Sequence, residues 1–313
     1  MRVLYISDNY GNDVHGTKRA LYEEIQSRGI PVFKGMFQAT VKQGPHALLQ
    51  KAVQKGCSHI WVVHTNTTPL QIDPAIFNRQ GIHVHGFGLS DPTNWNPKKL
   101  GMLNSYSTNS WAIFSQHKHL SSPKLHHWPV ACEMRFHGKK DSEINPVRDI
   151  DILFYGVGAH PTHTPRNYRH VMIRELRKRF PGKVIKVFGD RWAPDIHAAP
   201  RISGDAFLDV IRRAKVGIDL SQPGSPVPRR VFEMAACGTP VVAGPTSDLP
   251  SILTQGVEIL IYQDIEDLTG ILQKLLADEP YRVAVAQKQM QVIRSQHDIK
   301  NRVDDLLSFF AGG

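Results

Sequence analysis

Arg229-Arg230-Val231-Phe232-Glu233-Met234-Ala235-Ala236 carries the densest set of residues able to do chemistry in this chain. A Pro-rich loop (Pro223, Pro226, Pro228) feeds the segment, which is patterned as a short helix beginning with two arginines. The amino end of a helix already bears partial positive charge, so two guanidinium groups are unfavourable there unless an anion joins them. A diphosphate would supply that charge. Glu233, one turn further on, is expected to face the same opening, where its carboxylate could accept hydrogen bonds from ribose or sugar hydroxyls. Cys237-Gly238-Thr239-Pro240 then turns the chain into its next strand.

A second phosphate-type signal is Gly156-Val157-Gly158, directly after the apolar run Asp151–Tyr155, with Arg166 and Arg169 ahead of and within the helix that follows. Glycines let an anion approach the backbone, and the helix start adds positive potential. No third glycine follows, so the glycines alone fit a structural turn equally well. The arginines favour the anion.

Transfer to a hydroxyl also needs a base. Asp91, in Gly88-Leu89-Ser90-Asp91-Pro92, ends a strand and is the first candidate; its alternative role is an Asx-type turn before Pro92. His64, at the end of another strand, is the alternate, followed by Asp13 or His15 in the loop 9–16. The pairs His83/His85, His117/His119, His126/His127 and His160/His163 lack a third ligand at useful spacing, and Asp149-Ile150-Asp151 begins a strand rather than ending one. No tightly bound metal is expected, with divalent ions at most stimulatory.

These residues are positioned by alternating short strands and helices, the pattern of parallel βαβ units, in which ligands bind beyond the carboxyl ends of the strands. In the first half the strands are expected at Arg2–Ser7, Pro31–Met36, His59–His64, His83–Leu89 and Trp111–Ser115, with helices at Thr17–Arg28 and His46–Lys55. Glu133–Val147 reads as a linker. Beyond it come strands Asp151–Tyr155, Val184–Phe188, Val216–Leu220, Thr239–Ala243 and Glu258–Ile261. Helices are expected at Asn167–Phe180, Asp205–Ala214, Arg229–Ala236, Ile265–Leu276, Pro280–Gln296 and Asn301–Phe310, the last with no strand after them. The 313 residues suffice for two domains, 1–140 and 141–313.

Of the formal charge of +10, residues 1–140 hold 16 Lys/Arg against 7 Asp/Glu, a net of +9, and residues 141–313 hold 22 against 21, a net of +1. A one-sided basic field suits a polyanionic partner, although a plain solubility surface gives the same count. Cys57, Cys132 and Cys237 are far apart and odd in number, which disfavours a disulfide framework or zinc ribbon and fits a cytoplasmic protein. Asp8 interrupts the opening segment too early for a signal peptide, and no run approaches the ~20 apolar residues of a membrane span.

The run Arg230–Val242, followed by Ser247-Asp248-Leu249-Pro250, Glu258-Ile259-Leu260-Ile261-Tyr262, Leu275-Leu276-Ala277-Asp278 and Arg302, resembles the C-terminal domain of GT-B glycosyltransferases, especially the spore-maturation CgeB-like group. The chain is also similar to the phage DNA β-glucosyltransferases at Gly156 after its strand, Phe188-Gly189, Arg230-Val231-x-Glu233, and Gln296-His297-Asp298-Ile299 with Asn301. The resemblance implies an α/β GT-B fold: two Rossmann-like domains facing across a cleft, acceptor-binding first and nucleotide-sugar-binding second, with a C-terminal helix crossing back. It implies a UDP-sugar co-substrate and no tightly bound cofactor. Arg166, Arg169, Arg229 and Arg230, with Gly156 and Gly158, would hold the diphosphate, Glu233 the ribose or sugar, and Gly189 and Ser203 would flank the base. Ser225 stands where the retaining enzymes of this fold carry a second Glu, which points to inverting displacement. The phage enzymes have an aspartate base at a strand end similar to that of Asp91.

The leading acceptor is then a hydroxymethylated pyrimidine in DNA, extruded from the duplex, with Trp95 filling the stack and Lys98, Lys99, Lys118 and Lys124 on the backbone. Such an enzyme would be a phage-encoded monomer in the host cytoplasm. The alternatives are glycosylation of surface polysaccharide, protein or a small metabolite, and a non-catalytic nucleotide-binding GT-B module.

Overall fold

A computed structural model of the chain describes residues 1–8, 16–63, 70–89, 91, 95–96, 101–138, 147–159, 165, 167–256 and 258–312. It divides into two compact units, Met1–Val130 with Ile299–Gly313, and Ala131–Asp298. The expected boundary at residue 140 thus compares with one at Val130, and the closing helix belongs with the first unit. Among the described residues no helix is long and apolar enough to cross a membrane.

The first unit is a six-stranded parallel sheet of β1 (Val3–Ser7), β2 (Val32–Met36), β3 (His59–Val62), β4 (His83–Gly88), β5 (Ser105–Thr108) and β6 (Lys124–His127), ordered β2-β1-β3-β4-β5-β6. Side chains alternate across it as strand geometry dictates. Leu4, Ile6, Ile60, Val62 and Val84 face one core with Phe37, Leu48 and Phe77. Val3, Tyr5, Trp61 and Phe87 face the other, completed by α1 (Thr17–Ser27) through Leu21 and Ile25 and by α11 (Ile299–Ala311) through Ile299, Val303 and Leu306.

Two expectations fail here. Trp111–Ser115 is not a strand but the start of helix α4 (Trp111–His117), whose amino end is capped by the Ser110 hydroxyl accepting from Ile113 N at 3.4 Å. The strands actually present, Ser-Tyr-Ser-Thr and Lys-Leu-His-His, lack the β-branched apolar content that marks a buried strand. β5 is nonetheless buried because its serines find histidines. The Ser105 hydroxyl is 2.6 Å from both His83 Nε2 and His85 Nδ1, the Ser107 hydroxyl is 2.9 Å from His85 Nε2 and 3.1 Å from His126 Nδ1, and His126 Nε2 reaches Asp305 at 3.0 Å. The expected helix His46–Lys55 is the second part of α2 (Phe37–Gln54), which breaks at Gly44 (φ +79°) before Pro45.

In the second unit five parallel strands, β7 (Ile150–Tyr155), β8 (Ile185–Phe188), β9 (Ala214–Ile218), β10 (Val241–Ala243) and β11 (Leu260–Ile261), lie in the order β11-β10-β9-β7-β8. Helices α6 (Tyr168–Arg179), α7 (Asp205–Arg213), α8 (Arg229–Ala236), α9 (Ile265–Ala277) and α10 (Glu279–Gln296) pack around them. The supposed linker begins with a short helix, α5 (Met134–His137), and its residues 139–146 lie outside the described set. α8 sits close over β9 because Gly217 has no side chain: a Cβ there would lie 2.3 Å from Met234 Sδ. That packing fixes where the first turn of α8 meets the carboxyl ends of β7 and β9.

Candidate functional site

At those strand ends the structure brings Gly156, Arg169 and Arg230 together around Phe154, the last buried apolar side chain of β7. Arg230 and Arg169 place their guanidinium carbons 5.2 and 5.5 Å from the Phe154 ring centroid, within cation–π range. A Cβ on Gly156 would stand 2.9 Å from Arg230 Nη2, so the glycine makes room for that side chain. Arg230 Nη1 donates to Asp219 Oδ1 just beyond β9, and the Ser221 hydroxyl donates to the same oxygen at 3.1 Å. Arg169 is buried and, among the described residues, donates to carbonyls, Leu220 O at 3.1 Å and Val157 O at 2.8 Å. Burial, and then the neighbouring Arg230 charge, lower its pKa to about 9.

The remaining pair faces inward. Arg229 Nε lies 2.8 Å from Glu233 Oε1, one helical turn on, and the Tyr155 hydroxyl donates to Oε2 at 2.8 Å. His137 Nε2 stands 3.6 Å from Oε1. Burial alone would push this carboxyl up, but Arg229, His137 and the Tyr155 hydroxyl outweigh it and hold it at about 2. Glu233, expected to face an opening, is 2 % exposed, with Oε2 bonded by Tyr155 and Oε1 ion-paired with Arg229 but without a hydrogen-bond partner among the described residues. Arg229 and Arg230 likewise carry protein carboxylates. Three guanidinium groups against two carboxylates still leave the described cluster one positive charge in excess, and the surplus cation is Arg169.

In the glycine loop the amides are paired within the unit. Gly156 N donates to Phe188 O at 2.9 Å, Gly158 N to Asp190 O at 2.9 Å and Ala159 N to Arg191 O at 3.2 Å, so these amides are already satisfied. A Cβ on Gly158 would come within 2.6 Å of Arg191 O and of His170 Nε2, and one on Gly189 (φ +125°) within 2.3 Å of Gly156 O. The glycines let two loops pack backbone to backbone. Ser203 is exposed in the turn before α7, and Arg166 lies outside the described residues.

Asp219, Tyr155 and Phe154 belong to this candidate site, and the sequence did not single them out. Asp219 left a signal: an aspartate inside the apolar run Val216–Leu220, and it is fully buried. A charge in such a run is rarely buried without a partner.

In the first unit Asp91 is 0 % exposed. Its Oδ2 accepts from the Tyr106 hydroxyl at 3.0 Å and the Thr108 hydroxyl at 2.9 Å, while its own N–H donates to Asn109 Oδ1 at 3.0 Å. A Cβ on Gly88 would lie 1.9 Å from Oδ2, so the carboxylate folds back over the end of β4. Burial, and next to it this carboxylate, raise the Tyr106 hydroxyl well above its usual range. Trp95 is half-buried and stacks on His117 with centroids 5.3 Å apart. Lys118 is exposed at the end of α4, and Lys124 Nζ sits 5.0 Å from the Phe309 ring centroid. His64, Asp13, His15, Lys98 and Lys99 fall outside the described residues. No group of three metal-ligating side chains converges among those described.

Two parallel sheets flanked by helices, with a terminal helix returning to the first unit, define the α/β class, and comparison with solved structures makes it the GT-B fold. Sucrose-phosphate synthase from Thermosynechococcus elongatus superposes with a TM-score of 0.68 at 12 % identity, covering 100 % of both chains. HepE from Anabaena, solved in complex with UDP, gives 0.72 at 13 % identity and 100 % of both chains. A glycosyltransferase from Rickettsia africae gives 0.69 at 7 % identity, covering 99 % of this chain and 97 % of the other. A family model described as glycosyl transferase-like matches residues 166–308, and no curated protein matches in sequence.

Proposed function

We propose that this chain is a glycosyltransferase that moves a sugar from a nucleotide-diphosphate sugar, a UDP-sugar, to an acceptor hydroxyl. The observation that carries the reading is the surplus buried cation: Arg169 lies beside Arg230 at the carboxyl ends of β7 and β9 with only carbonyl partners among the described residues. A diphosphate there would neutralise a cation that no carboxylate bonds among the described residues, and in the transition state the same cations would stabilise the leaving group. The family match over residues 166–308 and the UDP held by the HepE structure support a UDP-sugar. With Ser225 at the position of a second Glu, single displacement with inversion is the simplest course.

Asp91 remains the candidate base, and its burial sets a condition: the acceptor hydroxyl must take the place now held by the Tyr106 or Thr108 hydroxyl. The leading acceptor is hydroxymethylated DNA, supported by the net +9 of residues 1–140. Glycosylation of a polysaccharide, protein or metabolite is the alternative. Incubation with labelled nucleotide sugars, with and without hydroxymethylated DNA, tests both levels: label entering DNA from a UDP-sugar is the expected result. Transfer only to another acceptor overturns the DNA reading, and no transfer or hydrolysis of any nucleotide sugar overturns the enzyme.

A further inference from the structure

Glu233 is 2 % exposed and ion-paired with Arg229, which leaves room for a second carboxylate beside Arg230 to serve a donor's hydroxyl groups. Asp219 is the carboxylate so placed. Its Oδ1 is committed to Arg230 and to the Ser221 hydroxyl. Its Oδ2 is buried and has no hydrogen-bond partner among the described residues. A carboxylate oxygen shut away from water without a donor is costly and rare, and in a cation-lined site it marks a place where a ligand donor belongs. The Tyr168 and Tyr262 hydroxyls, 3.4 Å apart, complete the surroundings, and both feel the Asp219 charge.

Arg230 lies against Asp219 Oδ1 and keeps 13 % of its side chain exposed. A phosphate that drew this guanidinium away would leave the carboxylate next to the atoms that flank the diphosphate. In a nucleotide sugar those atoms are hydroxyl-bearing on both sides, the ribose on one and the transferred sugar on the other.

We infer that Asp219 is a specificity-determining residue of the donor site, its Oδ2 accepting a hydrogen bond from a donor hydroxyl next to the diphosphate, on either the ribose or the transferred sugar. The inference rests on the diphosphate reading above. It is tested by deleting the hydroxyl and the carboxylate in turn. Calorimetry would compare UDP with its 2′-deoxy and 3′-deoxy forms, and UDP-glucose with UDP-sugars lacking one sugar hydroxyl, on wild type and on Asp219→Asn. Wild type is expected to lose about tenfold or more in affinity for one analogue, because a hydrogen bond to a charged group is among the stronger ones. In Asp219→Asn that difference should shrink to about threefold or less. The ribose and sugar arms decide which hydroxyl it is. If Asp219→Asn does not fold, Asp219→Glu keeps the charge for Arg230, displaces the accepting oxygen and is read in the same way. Discrimination that is absent in wild type, or undiminished in a folded variant, overturns the assignment while leaving UDP binding intact. Failure of wild type to bind UDP at all overturns the reading beneath it.

Discussion

At the scale of single residues, ion pairing decides which side chains are available. Arg229 and Glu233 lie four apart on α8, the spacing at which a helix brings opposite charges together, and they take each other before any ligand arrives. The residue types that pointed to the site were legible in the sequence; their partners were not. Asp219 is eleven residues from Arg230, and Tyr155 seventy-eight from Glu233, so those bonds exist only once β7, β9 and α8 are assembled. Asp91 presents the same problem, since Tyr106 and Thr108 belong to a strand whose sequence does not announce itself. If Asp91 is the base, Asp91→Asn should lower turnover by about 10² to 10⁴-fold while UDP affinity stays unchanged. Equal losses of turnover and nucleotide affinity, measured by steady-state kinetics and calorimetry, would remove it from that role.

Elements rich in Val and Ile were readable from periodicity, as with β1, β3, β7 and β9, and α8 falls on its expected residues. Those built from Ser, Thr, His and Lys were not. β5 and β6 are held by the chain of bonds from His83 to Asp305, and the Phe310 ring of α11 stacks on Trp61 and packs edge-on against His59, His83 and His85. Burial lowers the pKa of His59 and His127 to about 4 and depresses His83 and His85 as well, so these rings are neutral in the folded unit. Asp305 beside His126, Arg302 near His127 and Lys124 over Phe309 are the charges around them. Between pH 6.5 and about 4 the unfolded chain binds more protons at these rings than the folded one, so their contribution is complete above pH 6.5 and is lost as pH falls toward 4. Thermal unfolding should therefore show a lower Tm at pH 5 than at pH 7.5, and replacing His59 and His83 by Gln should flatten that difference. An identical pH dependence in the variant would contradict the account.

For the whole molecule, charge separates the two halves of the sequence more clearly than fold does. Both sheets are parallel and built alike, yet the basic excess lies in residues 1–140, and in the second unit nearly every described cation of the candidate site is matched by a carboxylate. The fold class was readable because βαβ alternation runs through the chain. The closing helix belongs with the first unit, as the resemblance implied. The division at Val130 was less legible, because the stretch that looked like a linker opens with α5, which belongs to the second unit's core through Phe136. In the proposed function a nucleotide diphosphate docks where Arg169 and Arg230 meet over Phe154. Calorimetric titration of UDP into wild type and Arg230→Ala tests it most directly. The variant should fold and bind UDP about tenfold or more weakly, as loss of a charge-assisted contact requires. Unchanged affinity in a folded Arg230→Ala would show that the nucleotide binds elsewhere.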